Sequence, residues 1–252
     1  MTGPSGRTTV SDRRLIRLAW VATALATAVG MGAVGWLFVP TRPGAPSAEV
    51  TPIQVIAHGT FLLVTPVLAM LIIRAQPRSP IGWLCMAFPL FLGLVFLGEG
   101  VAHHLSPSPA VAWGTFLLSM LGGAFPVALV SLLLLFPTGR LMSPRWRWIL
   151  LILSVGSLSQ AAYAAVAPFP FPDVTDLRNP TGLPDLRGVL EPINTIGMLG
   201  IGAALLAAVA QLVVRFRRAR GVERQQVKWF VSAASVVGAF ILLAVVTEVA
   251  GA

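Results

Sequence analysis

Long apolar runs alternate with short polar gaps along this chain. Seven runs stand out, roughly Leu18–Val39, Pro52–Ile73, Ile81–Ala102, Val111–Phe136, Trp148–Ala167, Leu190–Val214 and Trp229–Ala250. Each holds about 20 residues or more, enough at about 1.5 Å per residue to cross a hydrocarbon core about 30 Å thick. No run alternates apolar and polar with period two over ten residues, so a β-barrel is not indicated. The pattern predicts an all-α, polytopic transmembrane bundle of about seven helices. It leaves a basic N-terminal segment over 1–17, the bundle over 18–252, and an extracytoplasmic loop over 168–189.

The charges orient this bundle. All but Arg42, Arg178 and Arg187 of the 18 Lys and Arg residues fall before the first run or in alternate gaps. They are Arg7, Arg13, Arg14 and Arg17; Arg74 and Arg78; Arg140, Arg145 and Arg147; and the group from Arg215 to Lys228. Lys/Arg excess in short loops marks the cytoplasmic side, so the N-terminus is expected in the cytoplasm and the chain in the plasma membrane as a multi-pass protein. Trp20, Trp83, Trp146, Trp148 and Trp229 then sit at predicted cytoplasmic helix ends, and Trp36 and Trp113 at outer ends. All are at interface depth, where an amphipathic ring is favoured. Seven crossings leave Ala252 outside. That fits a trimmed seven-helix protein, and equally a longer chain returning to the cytoplasm through an eighth helix.

A net charge of +9 raises a nucleic-acid reading. The spread of arginines over four junctions and a hydrophobic content of 56% turn it instead toward topology and anionic lipid. Cys85 is the single cysteine, which excludes an intramolecular disulfide and a cysteine cluster. The first run exceeds the about 7–15 residues of a signal-peptide core and reads as a retained anchor.

Polar residues inside the runs are costly and so point to sites. His58, Glu99, Tyr163, Asn194 and Glu248 are all predicted in the outer half, with His103 just beyond Glu99, whereas the inner half is apolar apart from Gln211. These six are the candidate ligand- or proton-sensing residues of an outward-facing cavity, with Glu99 and Glu248 as acids and His58 as the pH-sensitive partner. The blander reading has the acids snorkelling to headgroups and His58 bonding a backbone carbonyl. No cofactor or metal site is expected: His58 and His103 differ in depth, and no Gly-x-Ser-x-Gly or His-Glu-x-x-His motif occurs.

Four segments share an order and spacing. They are Pro80-Ile81-Gly82-Trp83-Leu84; Phe136-Pro137-Thr138-Gly139-Arg140-Leu141 followed by Ser143-Pro144-Arg145-Trp146-Arg147; Asn179-Pro180-Thr181-Gly182; and Arg217-Arg218-Ala219-Arg220-Gly221-Val222-Glu223-Arg224-Gln225-Gln226-Val227-Lys228-Trp229. Together they resemble the N-terminal membrane region of actinobacterial two-component sensor histidine kinases, over roughly residues 10 to 250. The resemblance implies a non-catalytic sensor or input module. It would read an envelope or intramembrane signal and pass it to a cytoplasmic kinase domain or partner protein, as a homodimer. The output junction would hold Arg217, Arg218, Arg220, Glu223, Arg224, Gln225 and Lys228. His58, His103 and His104 are the only histidines, all predicted in the membrane or outside. With no cytoplasmic phosphoacceptor and no ATP-binding segment, this chain is not expected to be an enzyme, although a longer parent could be a kinase. The competing readings are a small membrane transporter and an integral membrane scaffold. Membrane lipids are expected partners and nucleic acid is not.

Overall fold

The fold was analysed in a computed structural model, which describes residues 10–43, 52–167, 176–218, 221 and 225. The described residues form α-helices and short 3-10 turns without strands. The helices are α1 (Val10–Gly35), α2 (Pro52–Ala75), α3 (Pro80–His104), α4 (Pro109–Gly122), α5 (Phe125–Leu135), α6 (Arg147–Val166) and α7 (Arg187–Arg218). Six spans among the described residues are long and apolar enough to cross a membrane, α4 and α5 together making one of them. The chain is a multi-pass helical membrane protein. The seventh predicted run, 229–250, lies outside the described residues.

The observed boundaries differ from the hydropathy pattern in three places. α1 starts at Val10, eight residues before the apolar run, so much of the basic N-terminal segment is helical. α7 extends beyond its run at both ends and takes in the last residues assigned to the outer loop. The fourth run is two helices. Pro126 in the first turn of α5 has no N–H to continue the ladder of α4. The chain re-enters helix through Ala124, whose carbonyl accepts from the N–H groups of Val127 and Ala128 at 3.1 and 3.3 Å. Pro66 and Pro89, by contrast, are fully buried inside helices that run through them.

The bundle has two packed groups. Ala19 and Ala26 of α1 meet Ala69, Met70 and Ile73 of α2 and Met86 of α3. Val130, Leu133 and Leu134 of α5 meet Leu153 of α6 and Ala204, Ala208 and Leu212 of α7. α3 joins the groups, packing on α1 and α2 and also on α4 and α5. α6 and α7 touch backbone to backbone: a methyl on Gly156 would stand 2.6 Å from the Gly197 carbonyl oxygen. Small residues allow such approach where hydrocarbon surroundings offer no hydrophobic drive between helices. The outward faces remain apolar, with Ile196, Leu199 and Leu206 about 70% exposed (70, 69 and 73%), as lipid contact requires.

The two ends are distinct. Arg78 Nε, in the α2–α3 turn, donates to Asp12 Oδ1 near the start of α1 at 3.0 Å. That end also collects the α5–α6 turn and the close of α7, and is called the basic end below. The opposite end gathers the α1–α2, α3–α4 and α6–α7 connections.

Candidate functional site

The most connected polar feature lies at the basic end, where α5 stops. A helix leaves its last four carbonyls without intrahelical partners, and Pro137 has no N–H to give. Gly139, at φ +72°, takes the left-handed conformation that closes the turn, and its N–H returns to the Leu135 carbonyl at 2.8 Å. α7 supplies further donors. Gln211 Nε2 donates to the Leu134 carbonyl at 2.9 Å. One turn later, Arg215 Nη1 donates to the Phe136 carbonyl and, at 3.5 Å, to that of Leu135. Arg215 Nη2 donates to the Arg140 carbonyl at 2.9 Å.

Gln211 is fully buried and Arg215 nearly so. A guanidinium at the C-terminal end of α5 also sits at the negative pole of that helix, where a cation is favoured. The planar fork of arginine suits several convergent carbonyls. The same turn leans on the next element, since a methyl on Gly139 would stand 3.1 Å from ring carbons of Pro80, the first residue of α3. An open cleft of about 640 Å³ lies above these turns, bounded by Asp12, Arg78, Ser79, Thr138 and Arg140.

At the opposite end Arg42 ties three connections together. Its side chain donates to both carboxylate oxygens of Asp176, at 2.5 and 2.7 Å, and to the Ala102 carbonyl at 3.4 Å. Its N–H donates to the His103 carbonyl at 3.3 Å. The Arg42 hydrogen bond holds the Asp176 carboxyl below the ordinary carboxylate range, against partial desolvation, and Asp176 raises Arg42 in return. His104 stacks on Trp36 at 5.1 Å, and its Nδ1 lies 3.0 Å from the Pro40 carbonyl. Beside this clasp, buried Asn179 donates through Nδ2 to the Ala164 and Ala167 carbonyls at 2.9 and 2.8 Å. Thr181 Oγ1 donates to Ala165 at 2.6 Å. The Asn179–Gly182 segment is therefore the C-terminal cap of α6.

The sequence-predicted sensing residues fall in both groups of the bundle. His58 on α2 is half-buried, edge-on to Phe96 of α3 at 4.6 Å. Glu99, one turn beyond Phe96, is exposed, and His103 is buried at the end of α3. Tyr163 and Asn194 are half-buried on α6 and α7, where Asn194 Nδ2 approaches Met198 Sδ at 3.9 Å. His58, Glu99 and His103 thus share the α2–α3 region, and Tyr163 and Asn194 the separate α6–α7 pair. Glu248 lies outside the described residues. Of the predicted output junction, Arg217, Arg218 and Gln225 are exposed; Arg220, Glu223, Arg224 and Lys228 lie outside the described residues.

Sequence reasoning missed Arg215 as more than a topology charge, and gave Gln211 no role. Their signal was present: two polar side chains four residues apart on an otherwise apolar stretch share one helix face. Arg42, Asp176 and Asn179 carried no such periodic signal. Among the described residues no group of three or more His, Cys, Asp or Glu side chains is placed to hold a metal ion. Searches against protein-family models, curated proteins and solved structures find no match for this chain.

Proposed function

We propose that this chain is a non-catalytic input module of a two-component signalling system. In this reading its basic end faces the cytoplasm, and it passes an envelope or intramembrane signal to a cytoplasmic kinase. The observation that carries the reading is the grip of Gln211 and Arg215 on the α5–α6 turn. A single 32-residue helix, α7, follows the connection that carries Asp176 of the outer clasp. It is held at its far end by a buried cation, and leads directly into exposed Arg217 and Arg218.

A shift of α7 along its axis would have to exchange the carbonyls that Arg215 holds. A discrete exchange of that kind is what a switch between two packed arrangements needs. The arginine-rich end agrees with cytoplasmic placement by the positive-inside rule.

The test appends one transmembrane helix and then the dimerisation and catalytic core of a histidine kinase, so that the core meets the basic end in the cytoplasm, and measures autophosphorylation in bacterial membranes. Arg215→Gln is expected to change the output several-fold, and Asp176→Asn at the far end to change it in a graded way. Kinase output that ignores both substitutions, with both proteins folded and membrane-inserted, would sink the proposal.

A further inference from the structure

The cleft at the basic end is built from elements far apart in sequence. Arg78 and Arg140 reach it from two different turns, and Asp12 offsets one of their charges. Both arginines are exposed, Arg78 with 67% of its side chain open. Ser79, just before α3, also lines the cleft, and its hydroxyl makes no capping bond to that helix. The cleft lining includes Pro80, the first residue of the 25-residue helix α3, so the positive pole of that helix dipole lies at its edge. Trp83 stands one turn inside, its indole N–H donating to the Pro77 carbonyl at 2.9 Å. That ring belongs at headgroup depth.

We propose that this cleft binds a phosphate group, carried by an anionic lipid headgroup or free in solution. Two arginines and a serine line one open volume beside the positive pole of α3, a donor set that matches phosphate oxygens. The turn that Arg215 grips from α7 lines part of the cleft: Arg140 borders it, and the Arg140 carbonyl accepts from Arg215. Occupancy therefore bears on α7. That coupling rests on the sensor reading above; the binding itself does not.

The experiment uses the full chain in neutral detergent, without any kinase. Native mass spectrometry counts retained phosphatidylglycerol against phosphatidylcholine, and calorimetry follows titration with inorganic phosphate. Each phosphate contact near the membrane surface contributes about 1 kcal/mol, so Arg140→Gln should lower affinity about fivefold. Arg140→Gln removes only an exposed side chain and leaves the carbonyl that Arg215 uses, so it is the safer variant; Arg78→Gln also breaks the pair with Asp12. Arg145→Gln and Arg147→Gln, exposed but outside the cleft, are the controls and should leave affinity unchanged.

Preferential retention of phosphatidylglycerol that falls only in the cleft variants supports a lipid source. Inorganic phosphate binding with the same dependence supports a soluble one. Equal loss in all four variants shows general attraction of a basic face and overturns the site, as does failure of both probes to bind. Binding that leaves amide exchange of 212–218 unchanged overturns the link to α7.

Discussion

Arg215 recognises Arg140 through its backbone. The Nη2 of one arginine donates at 2.9 Å to the carbonyl of the other, while the Arg140 side chain stays exposed. The two arginines thus meet through a guanidinium and a carbonyl. The contact makes Arg215 a structural reader of the turn. Arg215→Ala removes charge-assisted donors from the part-buried bonds to the Phe136 and Arg140 carbonyls, a loss of about 1.5–3 kcal/mol. Arg215→Lys should recover only part of it, because a point charge cannot span carbonyls that a fork spans. Thermal unfolding in detergent checks the order wild type, Lys, Ala; identical midpoints for all three would refute it.

The Arg42–Asp176 clasp carries a pH dependence of definite sign. Because the Asp176 carboxyl is held below its ordinary range by Arg42, the folded form binds the proton more weakly than the unfolded one. Its contribution is complete above the unfolded value of about 3.9 and is lost as pH falls through the lowered folded value. Amide exchange around residues 40–43 and 176–179 should stay flat from about pH 7 to pH 5 once corrected for intrinsic rates. Asp176→Asn should raise it across that whole range. A step between pH 5 and 7 in wild type would mean that another group closes this end.

The α6–α7 contact has no room for a side chain at Gly156 or Gly197. A Cβ at Gly197 would stand 2.0 Å from Ser159 Oγ and 3.0 Å from the Gly156 carbonyl. Gly156→Ala should cost about 1–3 kcal/mol through forced separation of the helices. Gly202→Ala on the same helix, where an added methyl meets nothing within 4 Å, should be near neutral. Unfolding midpoints of the two variants that coincide would show that this seam is not close-packed in the membrane.

Asn179 closes α6 from outside the helix. Asn179→Ala removes donors to the carbonyls of Ala164 and Ala167, and the acceptor of the Thr181 N–H at 3.2 Å. Faster exchange of the amides of Thr181, Gly182 and Leu183 is the expected result, with α3 unaffected. No change at those amides would mean that the Leu183 N–H bond to Val166, at 2.9 Å, suffices alone.

Orientation is open to direct chemistry because Cys85 is the only native thiol. In a Cys85→Ser background, a cysteine at Ser143 should resist a membrane-impermeant maleimide in intact cells. One at Arg178 should react. The reverse result would invert the threading inferred from the arginines.

Much of the bundle was legible because its signals are one-dimensional. A span needs a run of apolar residues, and a turn at Pro137 and Gly139 needs residues with special backbone preferences. The break at Gly123 and Ala124 was harder. Hydropathy continues through it, and only the hydrogen-bonding deficit of Pro126 divides α4 from α5. The outer-half polar residues were visible as a set by depth, yet depth along a helix leaves open which way a side chain faces. His58 turned out to meet Phe96 of the neighbouring helix, while Asn194 sits across the bundle on α7.

Sequence by itself determined that lipid is the solvent, the order and approximate place of the described spans, and which loops share an end. These follow from the cost of unpaired polar groups in hydrocarbon and from counting residues, and both are properties of order along the chain. Tertiary structure alone decided that Arg215 reads the carbonyls of the α5–α6 turn, and that Arg42 finds Asp176, 134 positions away. Such partners are chosen by how the helices rotate and approach, through contacts such as Gly156 against Gly197. Packing in three dimensions sets that geometry, and no local pattern encodes it.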